Sequence, residues 1–269
     1  VLPDDIAIQL GNDLPPQDIG YGEGDPPEYY DGSFVPVRVN GGLKFSEVSP
    51  GGVHTCGLTP AGAAYCWGVN DEIPHLGIGS NSNAAPDRCY WDIYTPACIK
   101  SPAAVVGGLT FRTLSTGEGD AYTPDYGHTC GLTTSGAAYC WGSNSHGQLG
   151  NGSTGFLASS SVPVAVSGGL TFTSLSLGST HTCGLTADGT AYCWADNRSG
   201  KLGNGAGADF SSPTPVAVTG GLSFAALSVG AWHACGLTTG GAVHCWGSNY
   251  YGQLGNGSTG TSSVPVAVS

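Results

Sequence analysis

"HTCGLTADGTAYCW", residues 181–194, sets two cysteines ten positions apart with a glycine between them. The phrase returns as "HTCGLTPAGAAYCW" from His54, "HTCGLTTSGAAYCW" from His128 and "HACGLTTGGAVHCW" from His233. Two short strands, 182–186 and 190–194, joined by Ala187, Asp188 and Gly189, account for it. A three-residue hairpin loop is commonly a type I turn followed by one left-handed residue, the slot that glycine fills most easily. That loop faces Leu185 with Ala191, Gly184 with Tyr192 and Cys183 with Cys193. Facing residues on antiparallel strands have Cα atoms roughly 4.5–5.5 Å apart, within the span a disulfide accepts. The spacing therefore predicts the bonds Cys56–Cys66, Cys130–Cys140, Cys183–Cys193 and Cys235–Cys245, and leaves Cys89 and Cys98 to close a loop of their own. No cationic group stands beside these cysteines to activate a thiol, and no Cys-x-x-Cys pair suggests zinc. An even set of ten cysteines favours an oxidising compartment, so the expected location is secreted or cell surface.

Composition narrows the class. The 269 residues include 46 Gly and 17 Pro and few strong helix formers, which favours short strands and tight turns. No apolar run is long enough to cross a bilayer, so no membrane span is expected. The formal net charge is -12 and the seven Lys and Arg residues are scattered, which argues against nucleic acid as a partner. Eight of the nineteen acids lie in residues 1–31, so the repeated part is nearly uncharged.

The four histidines of the phrase stand 74, 53 and 52 residues apart. Each unit holds four strand candidates, typified by "PVAV", "LTFTSLSL", "HTCGLT" and "AYCWG", each bounded by turn residues. A sheet of four such strands buries little alone and must stack on its neighbours, as in a propeller blade. The expected fold is all-β and β-propeller-like. Its repeats fall at about 34–101, 102–160, 161–212 and 213–263, with a surplus C-terminal strand at 264–269. Two insertions, 79–101 and 117–127, lengthen the first interval.

"WGSNSHGQLGNGS" from Trp141, "WADNRSGKLGNGA" from Trp194 and "WGSNYYGQLGNGS" from Trp246 resemble the regulator of chromosome condensation repeat family. The resemblance covers about residues 34–269 and implies a β-propeller of four-stranded blades, commonly seven per ring. The first copy departs, reading "WGVNDEIPHLGIGS", and the third has Ala195 where the others have glycine. Eukaryotic members act on a small GTPase and touch chromatin, a role ill suited to five disulfides and an acidic chain. Secreted bacterial members, whose composition this chain resembles better, include binding proteins and inhibitors. No functional residue is carried over from either group.

Residues 1–33 read as an extended arm and linker. Ile6, Ile8 and Leu10 alternate with smaller or polar residues as in a strand, and a Pro, Gly and acid-rich stretch follows. This arm is a candidate donor strand for a neighbouring copy, which would join copies head to tail. The expected function is accordingly a non-catalytic extracellular structural or adhesive protein that self-associates into an oligomer or filament. The alternative is a monomeric secreted module that binds a protein or glycan through loops 79–101 and 117–127, where Tyr90, Trp91 and Tyr94 form the candidate binding loop. Asn151, Asn197 and Asn256 head glycosylation sequons. Glu118, Asp120 and Asp125, with the linker acids Glu23, Asp25, Glu28 and Asp31, form a weak calcium candidate that no EF-hand or nonapeptide pattern supports, so no metal is expected. The repeated histidines and the Trp after each second cysteine read as blade packing. No catalytic motif and no cofactor motif is present.

Overall fold

The computed structural model describes residues 8–9, 37–71, 73–80, 87–88, 97–118, 127–207 and 211–269. Strands β1 (Ile8–Gln9) and β2 (Val37–Arg38) pair with each other, antiparallel, within the chain. Ile8 is thus the described member of the expected donor strand, whereas Ile6 and Leu10 lie outside the described residues.

The repeats form four antiparallel sheets, each here called a blade. The first holds β3 (Glu47–Pro50), β4 (His54–Leu58), β5 (Ala64–Val69), β6 (Asp87–Arg88) and β7 (Ala97–Ala104), in the order β3-β4-β5-β7-β6. The second is β8 (Phe111–Thr116), β9 (His128–Thr133), β10 (Ala138–Gly142) and β11 (Ser160–Ala165). The third is β12 (Phe172–Leu177), β13 (His181–Thr186), β14 (Ala191–Ala195) and β15 (Ser212–Ala217). The fourth is β16 (Phe224–Val229), β17 (His233–Thr238), β18 (Val243–Gly247) and β19 (Ser262–Ala267).

The all-β propeller-type architecture matches the sequence reading, but its frame is shifted by one strand. The "PVAV" strand closes each blade instead of opening the next, because it runs back beside the second cysteine strand, with Cys193 facing Val216 and Cys245 facing Val266. The C-terminal strand β19 therefore completes the fourth blade, and the strand left over is the first, β2.

Each hairpin has the expected register, with Cys183 opposite Cys193 and Leu185 opposite Ala191. Gly189 takes a φ of 82°, the left-handed slot of the turn, and its N–H donates to the Thr186 carbonyl at 3.0 Å. Disulfides join Cys56–Cys66, Cys130–Cys140, Cys183–Cys193 and Cys235–Cys245. Their Cα separations of 4.0–4.1 Å are shorter than expected for facing strands. Cys98 is also disulfide-bonded, and Cys89 lies outside the described residues.

The core lies between blades. One blade offers its disulfide, a leucine and an alanine; the next covers them with a phenylalanine and a tryptophan. Between the second and third blades, Cys130, Leu132, Ala138, Cys140 and Leu149 meet Phe172 and Trp194. The glycine after the first cysteine makes room for that ring: a Cβ on Gly184 would stand 2.5 Å from Phe172 Cδ1. The indole N–H then donates across the junction, Trp194 to the Gln148 carbonyl at 2.8 Å and Trp246 to the Lys201 carbonyl at 3.0 Å. First strands of successive blades are also bonded directly. Ser49 Oγ lies 3.0 Å from Thr116 Oγ1, and Val229 N–H donates to Ser176 Oγ at 3.0 Å.

Candidate functional site

Strand pairing sorts the loops onto two ends of the blade row. The start of β13 pairs with the end of β14, since His181 faces Ala195, and the end of β14 pairs with the start of β15, since Ala195 faces Ser212. The loop between the first and second strands and the loop between the third and fourth strands therefore share one end of each blade, and the hairpin turns lie at the other. Both insertions leave from the first of these ends, one bounded by Ser80 and Ala97, the other by Glu118 and Gly127. Tyr90, Trp91, Tyr94, Asp120 and Asp125 lie outside the described residues.

The same end carries exposed aromatic and aliphatic side chains that the sequence reading passed over. Tyr250 and Tyr251, in the signature loop of the fourth blade, are 70% and 94% exposed. Trp232, in the adjoining loop of that blade, is 43% exposed, and Phe156 and Leu157 project from the signature loop of the second. The signature asparagine holds these loops rigid: Asn144, Asn197 and Asn249 each accept a hydrogen bond through Oδ1 from the buried leucine five residues on, at 2.9–3.0 Å. Side chains such as Tyr251 are thus displayed on backbone that is already ordered, which lowers the entropic cost of binding.

Beneath this end, the third blade departs from its siblings. Asp196 and Lys201 stand where the second blade has Ser143 and Gln148. Both charged side chains are buried, with Lys201 Nζ donating to Asp196 Oδ2 at 2.6 Å and to Thr180 Oγ1 at 2.7 Å. Arg198 reaches both Asp196 oxygens through Nε at 3.0 and 3.1 Å, and its Nη2 lies 3.1 Å from His146 Nε2. The Lys201 ammonium sits 4.6 Å from the centroid of the Trp232 ring, within cation–π range. Burial opposes charge on Asp196, but the bond from Arg198 and the charge and bond of Lys201 outweigh it and hold the carboxyl well below the usual range. Burial lowers the Lys201 pKa, and Asp196 offsets part of that effect. The arrangement fixes the root of the Trp232 loop with an internally neutralised pair.

The repeated histidines have the expected packing role in the first two blades. His54 Nε2 lies 2.7 Å from Thr129 Oγ1 and His128 Nε2 lies 2.8 Å from Thr182 Oγ1, each bond crossing to the next blade. His181 has no such bond, because Ala234 replaces the threonine, and both of its ring nitrogens are buried without a partner. Burial, then the Lys201 charge, pushes its pKa well below 6.5. Burial, then His75 and His128, brings that of His54 to about 3. Glu118, the described member of the calcium candidate, acts on His233 of the fourth blade and partly opposes the lowering caused by burial. Among the described residues, no group of three His, Cys, Asp or Glu is placed to hold a metal.

The sequons differ. Asn197 is buried, and its amide nitrogen donates to the Gly207 carbonyl at 3.1 Å. Asn151 and Asn256 lie in turns where Oδ1 accepts from the N–H and hydroxyl of Ser153 and Ser258.

Fold and surface together define a β-propeller protein of stacked four-stranded blades with a rigid loop end. The family model "Regulator of chromosome condensation (RCC1) repeat" matches residues 135–185 and 240–269, and a second model of that description matches 172–201 and 224–253. Those stretches carry repeats of this family. It is similar to the ultraviolet-B receptor UVR8 of Arabidopsis thaliana, at 31% identity over 80% of this chain and 44% of that protein. It is also similar to the E3 ubiquitin-protein ligase HERC2 of Homo sapiens, at 27% identity over 84% of this chain and 4% of that one. Among solved structures, yeast RCC1 (Prp20) bound to Kap60 superposes with a TM-score of 0.69 at 19% identity, covering 88% of this chain and 52% of that one. Human WBSCR16 gives a TM-score of 0.68 at 19% identity, over 88% and 56%. The chain spans about half the length of these structures, and less than half of the two sequence relatives.

Proposed function

We propose that this chain acts outside the cell as a non-catalytic scaffold that binds protein partners through the loop end of its blades. The observation that carries the reading is the display of Trp232, Tyr250, Tyr251, Phe156 and Leu157 at one end of a stapled framework. Exposed tyrosine and tryptophan on ordered loops are the residues that anchor protein interfaces. The extracellular part rests on the disulfides, which persist in oxidising compartments. The test is site-directed photo-crosslinking in the native setting, with the crosslinker at Tyr251 or, as a control, at exposed Thr239 on the opposite end. Adducts from Tyr251 alone support the reading, and equal labelling or none at both contradicts it.

A second reading, self-association into an oligomer or filament, draws on the exposed apolar side chains Leu237 and Val243 of the fourth blade. In that reading the N-terminal arm, Ile6, Ile8 and Leu10 included, is a further route to assembly by strand donation. Deletion of residues 1–33 followed by sizing tests that route: loss of assembly supports it, and unchanged assembly contradicts it.

A further inference from the structure

The described blades meet at three joints, built alike except at one residue. In each, the histidine that opens the second strand packs its ring between a glycine of its own blade and the blade beyond. A Cβ on Gly178 would stand 2.7 Å from His181 Cε1 and 2.5 Å from the Gly230 carbonyl oxygen of the fourth blade. Gly117 is confined in the same way by His128 and the Gly178 carbonyl. In the first and second joints the ring also bonds across, to Thr129 and Thr182. In the third, the residue opposite is Ala234, which is fully buried and has no hydroxyl to offer. Both nitrogens of His181 are consequently buried without a partner. A closed joint of this kind carries the desolvation of an unbonded polar group, and opening it to water removes that cost.

Charge around His181 makes the same joint responsive to acid. Lys201 and Asp196 act on it from its own blade, His128 from the second blade and His233 from the fourth. The one carboxylate of this set is already engaged, by Lys201 Nζ at 2.6 Å and by Arg198 Nε at 3.0 and 3.1 Å. An imidazolium here would stand near the Lys201 ammonium with no carboxylate of its own, so the closed joint refuses the proton. Burial and then the Lys201 charge hold the pKa of His181 well below its ordinary value, with Asp196 opposing them in part. Once the joint opens, the ring meets water and takes a proton at the ordinary value of 6.5. Protonation therefore favours the open joint below that pH and leaves it closed above.

We infer that the seam between the third and fourth blades is an acid-sensitive joint, in which His181, unbonded opposite Ala234, makes it the first of the three described joints to open as the pH falls. The opening is local, a partial separation of two blades within a chain that stays folded elsewhere. It draws Trp232 away from the Lys201 ammonium, which lies 4.6 Å from its ring in the closed form, and loosens the loop that carries it. The joint does not depend on what that loop end binds.

Backbone bonds that cross the joints report the opening. Across the third joint, Gly205 N–H donates to the Ser263 carbonyl at 2.9 Å and Phe224 N–H to the Gly189 carbonyl at 2.8 Å. Gly152 to Pro213 at 2.9 Å and Phe172 to Gly136 at 2.8 Å hold the matching places across the second. Amide hydrogen exchange of the full chain is followed by NMR at about pH 7.5 and about pH 5 and expressed as protection factors, which removes the pH dependence of the intrinsic rate. Those of Gly205 and Phe224 are expected to fall by about thirtyfold, the factor for one histidine that titrates near 6.5 only in the open form, and to end below those of Gly152 and Phe172. Ala234→Thr restores the residue that stands in the other blades as Thr55, Thr129 and Thr182, and is expected to raise the protection of Gly205 and Phe224 at both pH values. His181→Gln is expected to abolish their fall with pH. Equal protection of the two joints at the lower pH, no fall with pH, or a fall that persists in His181→Gln overturns the inference. An Ala234→Thr chain no better protected than the wild type overturns it as well, and that variant decides the matter if His181→Gln does not fold.

Discussion

The buried Lys201–Asp196 pair shows how a repeat accommodates an irregular residue. Lys201 replaces the glutamine of the signature and brings a charge into the blade junction, which Asp196, in the serine position, neutralises at 2.6 Å. Removing one partner of a buried pair leaves the other charge short of compensation, whereas replacing both with the neutral pair of the sibling blades does not. Lys201→Gln is therefore expected to cost about 2 kcal/mol or more, and addition of Asp196→Ser to recover most of it. Urea unfolding of the two single variants and the double variant checks this, and additive losses would contradict it.

Burial of the histidines sets the pH response at this same scale. The folded pKa of His54, about 3, and that of His181 lie below the ordinary value of 6.5. Between those limits the unfolded chain binds protons that the folded chain refuses. Stability is complete above about pH 6.5 and falls as the pH drops below it, by about 1.4 kcal/mol per pH unit for each such histidine. Asp196, depressed below its ordinary value, contributes stability that is present above about pH 4 and lost at lower pH still. A melting temperature that is level above pH 7 and declines through pH 6 to 4 is expected, and a flat profile would contradict it. None of this was legible beforehand. The sequence displays Lys201 and Asp196 as departures from the repeat, but only packing brings them together, and only Ala234 across the blade boundary deprives His181 of its bond.

At the scale of the element, the hairpin was legible because its cause is local. Gly189 fixes the loop length, loop length fixes the register, and the register puts Cys183 opposite Cys193. A closed loop this short restricts the unfolded chain modestly. Cys183→Ala with Cys193→Ala is expected to lower unfolding stability by roughly 2–3 kcal/mol, read from the urea midpoint. A loss below 1 kcal/mol would mean that the bond adds little to a hairpin already held by its neighbours. Blade framing was less legible. The "PVAV" strand stands nearer in the sequence to the repeat that follows it, yet its partner is decided by the signature loop, which turns it back beside Cys193 instead of onward.

For the whole molecule, repetition made the architecture readable and made the exposed aromatic side chains hard to see. Strands that recur every 50 or so residues announce their packing four times, while Trp232, Tyr250 and Tyr251 each occur in one copy and lie in turns, where sequence pattern carries no sign of exposure. Their common placement follows from topology, which gathers the loops that precede each histidine and the signature loops at one end.

The account as a whole depends on the cysteines being oxidised in the protein as it occurs naturally, since that fixes both the rigidity of the blades and the compartment. Quantifying thiols on the native protein, denatured without reductant, tests this most directly. The account predicts that none of the ten cysteines reacts. Ten reactive thiols would contradict it.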